Sequence, residues 1–360
     1  MKVALVASPF IPVPPNVYGG TELFVANLAK GLQQRGIRVV VYCNGASTTD
    51  VEKKWLYSQS EWPVTNEVHA NLKDANHAAW AVADARRDCD IIHLNSLPAL
   101  VHCRSLSEPV FYTVHHPHEP QLSAFYAHHP GVHYVTISEF QRRREKMPNM
   151  RTIHHGIDMN CYHVGQRRGE YLAFLGRIAP IKGTHIAVEV AKRTGIPLKI
   201  AGEVQPIFRD YFASQIKPHI DGKLIDYVGE VDLRGKNELF AGSFATLFPV
   251  QWDEPFGLVM IESMACGTPV LALPGGSVTE VVRDGVSGMV CHSVEELASC
   301  AVSAHEKFNR KTVRSYAFQN FSVEVMAAKY EAVYQGALGI ADGRPTVSDS
   351  NETSGTTAVA

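Results

Sequence analysis

The feature that most constrains the fold of this 360-residue chain is a twofold alternation of strand-like and helix-like patterns. Apolar runs of strand length occupy 2–8, 37–43, 90–94, 110–114 and 133–137, and then 171–175, 197–201, 224–228, 245–249 and 269–273. Helical spacing separates them, as in 21–34 and near 183–194, 207–217, 233–241, 257–266 and 293–307. This alternation predicts an α/β fold with a Rossmann-like, doubly wound parallel sheet in each half, the two facing a cleft.

The length suits two domains of roughly 150 residues each. We predict an N-terminal Rossmann-like domain over 1–160 and a C-terminal Rossmann-like domain over 168–320, joined by the polar stretch 159–170. A last amphipathic helix at 322–338 is expected to pack back onto the N-terminal domain. Residues 340–360 are rich in Ser, Thr, Gly and Asp, which predicts a disordered tail.

Composition excludes several classes of protein. The formal net charge is −2 and the basic run Arg142 to Arg144 has only three residues, so we expect no nucleic-acid partner. No apolar run approaches the roughly 18 residues that span a bilayer, and residues 2–8 are predicted as a buried strand and not as a signal peptide. Seven scattered cysteines without a Cys-x-x-Cys pair favour a reducing, cytoplasmic location.

The segment 249–270 predicts a strand end, a loop, a helix and the next strand. Gly257 opens the helix at the carboxyl end of a strand, where free backbone N–H groups and the positive end of the helix dipole suit a pyrophosphate. Glu262 lies further along that helix, where its carboxylate can accept hydrogen bonds from two ribose hydroxyls. Glu254, in the loop, can then reach the sugar. Two glutamates at this spacing are, taken alone, more often ordinary surface acids.

The same segment resembles the retaining glycosyltransferase family 4, whose signature is Glu-x7-Glu followed by Gly-Thr-Pro-Val. The match is unbroken from Glu254 to Val270, and family-like segments continue in order to about residue 335. The resemblance implies the GT-B fold, with the acceptor side in the domain 1–160 and the nucleotide-sugar donor site in the domain 168–320. It also implies transfer of the sugar to an acceptor hydroxyl with retention, and with no metal or other cofactor. It assigns Glu254 to the donor sugar, Glu262 to the ribose, and the backbone of three further residues to the diphosphate: Phe256, Gly257 and Leu258.

Two cations follow the strand at 171–175. Arg177 and Lys182 lie five residues apart in a strand-to-helix loop, where they can stabilise the negative charge that builds on a departing diphosphate. Such a pair alone is more often a solvated loop. Beside the glutamate motif it resembles the diphosphate clamp of the family, so we predict that both residues are catalytic and bind the donor.

In the first half, Gly19 and Gly20 lie between a proline-rich loop and a helix, where they permit close approach of the backbone to a ligand. The spacing is not Gly-x-Gly-x-x-Gly, and the strand at 37–43 ends at Asn44 and not at an acidic residue, which argues against a dinucleotide cofactor. The resemblance implies that this loop faces the donor phosphate and the acceptor.

Tandem histidines end the strand at 110–114. A zinc site is disfavoured by Pro117 and by the lack of a nearby Glu or Cys ligand. The resemblance matches His115 to an active-site histidine that meets the transferred sugar, whereas the alternative is a hydrogen-bonded histidine at a strand end. At His155 the family commonly has Asn, so the role of that position is open.

Asp88 and Asp90 match the metal-binding Asp-x-Asp of the other glycosyltransferase fold. There the motif follows a strand, whereas here it precedes one. We therefore predict a helix end and a strand entry with no metal.

Two alternatives stay open: a nucleotide-sugar 2-epimerase of the same fold, and a non-catalytic protein that binds sugar nucleotides. The nucleobase and the sugar are not readable. The acceptor is equally open between a glycan, a lipid-linked molecule and a small molecule, and so is a weak association with a membrane surface.

Overall fold

The computed structural model describes residues 1–17, 19–166 and 169–340, and it contains one parallel sheet in each half of the chain. The predicted tail beyond residue 340, together with Tyr18 and residues 167–168 of the predicted connection, lies outside the described residues. The strands of the first sheet are β1 (Lys2–Val6), β2 (Arg38–Cys43), β3 (Glu52–Trp55), β4 (Ile91–Leu94), β5 (Val110–Val114), β6 (His133–Thr136) and β7 (Met150–Thr152). Their order in the sheet is β3-β2-β1-β4-β5-β6-β7.

The second sheet is made of β8 (Tyr171–Leu175), β9 (Leu198–Ala201), β10 (Ile225–Gly229), β11 (Ser243–Phe248), β12 (Val270–Ala272) and β13 (Gly288–Val290). The order is β10-β9-β8-β11-β12-β13, with every pair parallel. The order reverses beside β8 here and beside β1 in the first sheet, and such switch points open a crevice at the carboxyl ends of the strands. The predicted α/β class with two doubly wound parallel sheets is therefore confirmed.

Helices cover both faces of the two sheets. They are α1 (Gly20–Gln34), α2 (Glu67–Ala85), α3 (Pro120–Ala127), α4 (Glu139–Arg144), α5 (Thr184–Thr194), α6 (Arg209–Tyr211), α7 (Leu233–Gly242), α8 (Leu258–Ala265), α9 (Val278–Val281), α10 (Val294–Lys307), α11 (Arg310–Phe321) and α12 (Val323–Ala337). None of these described helices is long and apolar enough to cross a bilayer.

The stretch near 207–217 is helical, as predicted, but it is not one regular α-helix. The segment contains the single turn α6 followed by a π-helical turn at Phe212–Ile216 and a 3₁₀ turn at Lys217–His219. Pro218 has no backbone N–H to continue a helical ladder, which explains why regular helix ends before it. The sequence also failed to indicate β3, β7 and β13, which are three or four residues long.

Helix α12 lies against the first sheet, although it follows the whole second sheet in the chain. Its Tyr330 and Tyr334 are fully buried, and they join a hydrogen-bonded group with His93 on β4 and Thr113 on β5. The chain therefore crosses between the domains twice, and the two crossings are hydrogen-bonded to each other through Ile157. We keep 1–160 and 168–320 as the proposed domain boundaries.

The Asp-x-Asp segment lies at the amino edge of the first sheet. The backbone N–H of Lys2 donates to Asp90 at 2.7 Å and its Nζ donates to Asp88 at 2.6 Å. Both carboxylates thus have a structural role at the start of β1 and β4. Among the described residues there is no group of three or more His, Cys, Asp or Glu side chains that could hold a metal ion.

Candidate active site

A cavity of about 490 Å³ lies between the two sheets, at the carboxyl ends of their strands. Both domains contribute to its lining. All ten residues that were predicted from the sequence to be catalytic or to bind the donor line this one cavity: Gly19, Gly20, His115, Arg177, Lys182, Glu254, Phe256, Gly257, Leu258 and Glu262. The fold thus brings together residues that lie up to 243 positions apart in the chain, Gly19 and Glu262 being the extremes.

Glu254 lies in the loop between β11 and α8, and its carboxylate is held from one side. Oε2 accepts a hydrogen bond from Lys182 Nζ at 2.5 Å and another from Trp252 Nε1 at 2.9 Å. Lys182 also lies 4.5 Å from the centre of the Trp252 ring, a cation–π distance. Because no described residue donates to Oε1, that oxygen is available to a ligand. Trp252 lies two residues before the glutamate motif, and spacing alone gave no reason to assign it a role.

Gly257 precedes α8 in a left-handed conformation with φ 81°. A Cβ at this position would lie 2.7 Å from Met260 and 3.0 Å from Phe248, so glycine is required both for its φ and for space. The turn brings the start of α8 into the wall of the cavity, where the lining includes Gly257 and Leu258. Unpaired N–H groups of a first helical turn favour an anion there.

Glu262 is almost fully buried on α8, with 1% of its surface exposed. Its Oε1 accepts two hydrogen bonds, from Tyr162 Oη at 2.9 Å and from Lys236 Nζ at 2.8 Å. Burial, and next the Glu262 charge, hold the pKa of Tyr162 well above its ordinary value, so the phenol stays protonated and donates. Sequence reasoning missed both partners, because they come from distant parts of the chain and belong to no local motif.

Among the described residues, three cations line the cavity, and two of them are paired with carboxylates. Lys182 pairs with Glu254, and Lys236 pairs with Glu262. Within the described residues, Arg177 has no carboxylate partner, and its Nη1 lies 3.5 Å from Gln205 Oε1. The guanidinium is therefore the cation that can bind an anion without first giving up an ion pair.

His115 follows β5 and lies deep in the cavity. Its Nε2 is 3.0 Å from Asn95 Oδ1, and its ring packs 5.0 Å from Phe24 and 5.6 Å from His155, measured between ring centres. Burial, and next the neighbouring His155, hold the pKa of His115 well below its ordinary value. The imidazole is therefore neutral at physiological pH, and because an amide oxygen is an acceptor, Nε2 carries the proton.

His155 is buried beside it, also against the cavity. Burial, and next the neighbouring His154, lower its pKa to about 3, and its Nδ1 has no hydrogen-bond partner among the described residues. Its ring lies 5.1 Å from Phe256. The position at which the sequence departs from the usual Asn is thus part of the cavity wall.

The two domains come close at the glycine loop. Gly19 is the N-cap of α1, and a Cβ built on Gly20 would lie 3.7 Å from Leu258 on α8. Behind this loop, burial raises the pKa of Glu22 to about 7. The predicted glycine loop therefore faces the start of α8 across the cavity.

Comparison with known proteins gives matches along most of the chain. Residues 18–161 match the sequence profile of Glycosyltransferase Family 4, and residues 165–302 match that of Glycosyl transferases group 1. Spore coat protein SA of Bacillus subtilis is 22% identical over 93% of this chain and 99% of its own length. A D-inositol 3-phosphate glycosyltransferase of Mycolicibacterium paratuberculosis is 30% identical, over 41% of this chain and 37% of that protein.

Solved structures show the same architecture. AviGT4, a glycosyltransferase involved in avilamycin A biosynthesis, superposes with a TM-score of 0.71 at 24% identity, covering 94% of this chain and 98% of that one. Anabaena HepE, solved in complex with UDP and glucose, superposes with a TM-score of 0.73 at 19% identity, covering 93% and 100%. At these identities the likeness establishes the fold alone.

Proposed function

This chain belongs to the family 4 glycosyltransferases, retaining and metal-independent enzymes that take a sugar from a nucleotide-sugar donor, and we propose that its interdomain cavity is the donor site. The observation that carries the proposal is that all ten residues predicted from the sequence as site residues line one cavity. Four separate stretches of chain contribute them, and only one contains the glutamate motif.

The proposed roles follow from the positions of the charges. The diphosphate lies over the start of α8, with Arg177 and Lys182 beside it. Glu262 holds the ribose through its Oε2, which accepts no hydrogen bond from a described residue. Glu254 holds the sugar through its Oε1, because its Oε2 already accepts from Lys182 and Trp252. His115 donates no proton to the reaction; as a neutral imidazole it fixes the sugar from the N-terminal side.

The chemistry proposed is electrostatic and positional. As the glycosidic bond breaks, negative charge builds on the leaving phosphate, and the two cations with the α8 amides stabilise it. The same phosphate oxygen takes the proton of the acceptor hydroxyl, so no carboxylate nucleophile is needed. Lys182 enters this step from an ion pair with Glu254 and therefore links the oxygen that leaves to the group that holds the sugar.

The proposal includes three further assignments. A uridine diphosphate donor is the first to test, since HepE holds UDP and glucose in the same fold. The acceptor enters from the N-terminal side, near the glycine loop, and its class stays open between glycan, lipid-linked and small molecules. The cytoplasmic location indicated by the cysteines stays a prediction.

Thermal unfolding in the presence of UDP, GDP, ADP and dTDP, with EDTA throughout, tests the donor site. A nucleoside diphosphate at 100 times its Kd stabilises the protein by about 2.7 kcal/mol. We expect one of the four to raise the melting temperature of the wild type, and to raise that of Glu262→Ala much less. Glu238→Ala is the matched control, because Glu238 is an exposed glutamate on α7 that pairs with Arg234.

If none of the four stabilises the wild type, the proposed donor site is wrong. If one of them stabilises it only in a parallel series with Mg²⁺ in place of EDTA, the metal-independence is wrong. A second assay separates transfer from the epimerase alternative. Incubated with its nucleotide-sugar and no acceptor, a transferase gives only slow hydrolysis, whereas a 2-epimerase converts the donor to its epimer.

A further inference from the structure

Lys236 is a cation in the cavity wall that was not predicted from the sequence as a site residue. It lies on α7, its side chain is 17% exposed, and it lines the cavity together with Glu262. Its Nζ is 2.8 Å from Glu262 Oε1. An ammonium has three protons, so this bond leaves Nζ two further donors.

The carboxylate of Glu262 is used unequally. Oε1 already accepts from two donors, Tyr162 and Lys236, whereas Oε2 has no partner among the described residues. Tyr162 does not line the cavity, and it approaches from the connection between the domains. The cavity therefore meets Oε2, an acceptor, beside Nζ, a donor.

A hydroxyl group is the ligand that satisfies such a pair, because it donates one hydrogen bond and accepts others. A phosphate oxygen would satisfy Nζ only, and a carbon-bound hydrogen would satisfy neither. This inference rests on the donor site proposed above: we propose that Lys236 and Glu262 together hydrogen-bond one hydroxyl of the ribose. Glu262 Oε2 accepts its proton and Lys236 Nζ donates to its oxygen.

This assigns to Lys236 a role different from that of Arg177 and Lys182. Those two cations act on the diphosphate, so removing either weakens every nucleotide that carries the diphosphate. Lys236 acts on a hydroxyl, so its removal should weaken the ribose nucleotide selectively. The ratio of two dissociation constants isolates this effect, because attraction between the lysine charge and the diphosphate is common to both nucleotides and cancels.

The experiment measures Kd by calorimetry for UDP, 2′-deoxy-UDP and 3′-deoxy-UDP, or for the GDP set if GDP binds more tightly. In the wild type, one of the two deoxynucleotides is expected to bind roughly tenfold more weakly, the lower end for a hydrogen bond to a charged group. In Lys236→Met that ratio falls below roughly threefold. If the methionine variant fails to fold, Lys236→Gln is measured in its place. The same fall in the ratio is expected, because glutamine is shorter than lysine and has no charge.

Arg234→Met is the matched control. It removes a positive charge from the same helix, but Arg234 is 87% exposed and does not line the cavity. Its ratios are expected to equal those of the wild type.

The outcomes separate the two proposals. If the wild type binds no nucleoside diphosphate, the donor site itself is wrong. If it binds UDP or GDP but both deoxy ratios are unchanged in Lys236→Met, the donor site stands and the assignment of Lys236 is overturned. An equal loss of affinity for all three nucleotides overturns it too, since that is the behaviour of a diphosphate ligand.

Discussion

His93 is a fully buried histidine whose two ring nitrogens are both hydrogen-bonded. Nδ1 lies 2.6 Å from Tyr334 Oη and Nε2 lies 2.8 Å from Thr113 Oγ1. Burial lowers the pKa of His93 to about 3, because the surrounding protein disfavours the charged ring. The folded protein therefore holds this histidine neutral at a pH where the unfolded chain protonates it.

This predicts a loss of stability in acid. Below the ordinary histidine pKa of about 6.5 the unfolded chain binds a proton that the folded protein does not, so the free energy of unfolding falls by roughly 1.4 kcal/mol per pH unit until about pH 3. Urea unfolding at pH 7.5 and 5.5 should show that His93→Gln loses about 1.4 kcal/mol less than the wild type over this interval. His128→Gln removes an exposed histidine and should keep the wild-type difference.

At the same scale, the sequence predicted those cavity-lining residues that a local motif carries. Glu254 and Glu262 were found because one loop and one helix place them, and the glycines because a turn needs them. Lys236 and Tyr162 were not found, since they reach Glu262 from 26 and 100 residues away. Such partners depend on how whole elements pack, and spacing along the chain does not contain that information.

Among the elements, helices α1 and α12 pack closely against each other, although they lie at opposite ends of the described chain. A Cβ built on Gly31 of α1 would lie 2.7 Å from Ala327 Cβ and 3.0 Å from the carbonyl oxygen of Val323, both on α12. Glycine at this position allows the two backbones to approach. Long strands and the periodic helix α1 were predictable, whereas this contact was not, because nothing near Gly31 in the sequence signals α12.

Two glycine-to-alanine substitutions in this helix pair should have opposite effects. In an open helix position the change stabilises by about 0.5–1 kcal/mol, and Gly336 on α12 has no described atom within 4 Å of its built Cβ. Gly336→Ala should therefore raise the free energy of unfolding. Gly31→Ala overpacks the contact with α12 and should lower it by about 1–3 kcal/mol. Chemical denaturation of both variants checks the prediction, and a stabilised Gly31→Ala would show that the helices are not in close contact.

For the whole molecule, one carboxylate of the second domain connects to several groups of the first. Glu280 on α9 accepts hydrogen bonds from the backbone N–H of Glu139 at 2.7 Å and of Phe140 at 2.5 Å, at the start of α4. It also lies 3.2 Å from His154 Nε2. Burial alone would raise the pKa of Glu280, but His154 and the two amides lower it below its ordinary value.

A second contact between the domains lies beside the site. Arg144, at the end of α4, pairs with Asp253, the residue before Glu254. Helix α4 is thus held by the second domain at its start through Glu280 and at its end through the loop that carries Glu254, the residue proposed to hold the sugar. The relative position of the domains and the position of Glu254 are therefore linked, which matters because residues of both halves line the proposed donor site.

Glu280→Ala should consequently loosen the molecule while leaving each domain folded. We expect a larger radius of gyration in small-angle X-ray scattering, and a fall in kcat/KM of about tenfold, since small displacements of reacting groups are costly. Arg142→Ala is the control: Arg142 lies on the same helix but pairs within it, 3.6 Å from Glu139. It should change neither quantity. A Glu280→Ala variant with the dimensions and activity of the wild type would mean that the paired crossings at Ile157 suffice to hold the domains together.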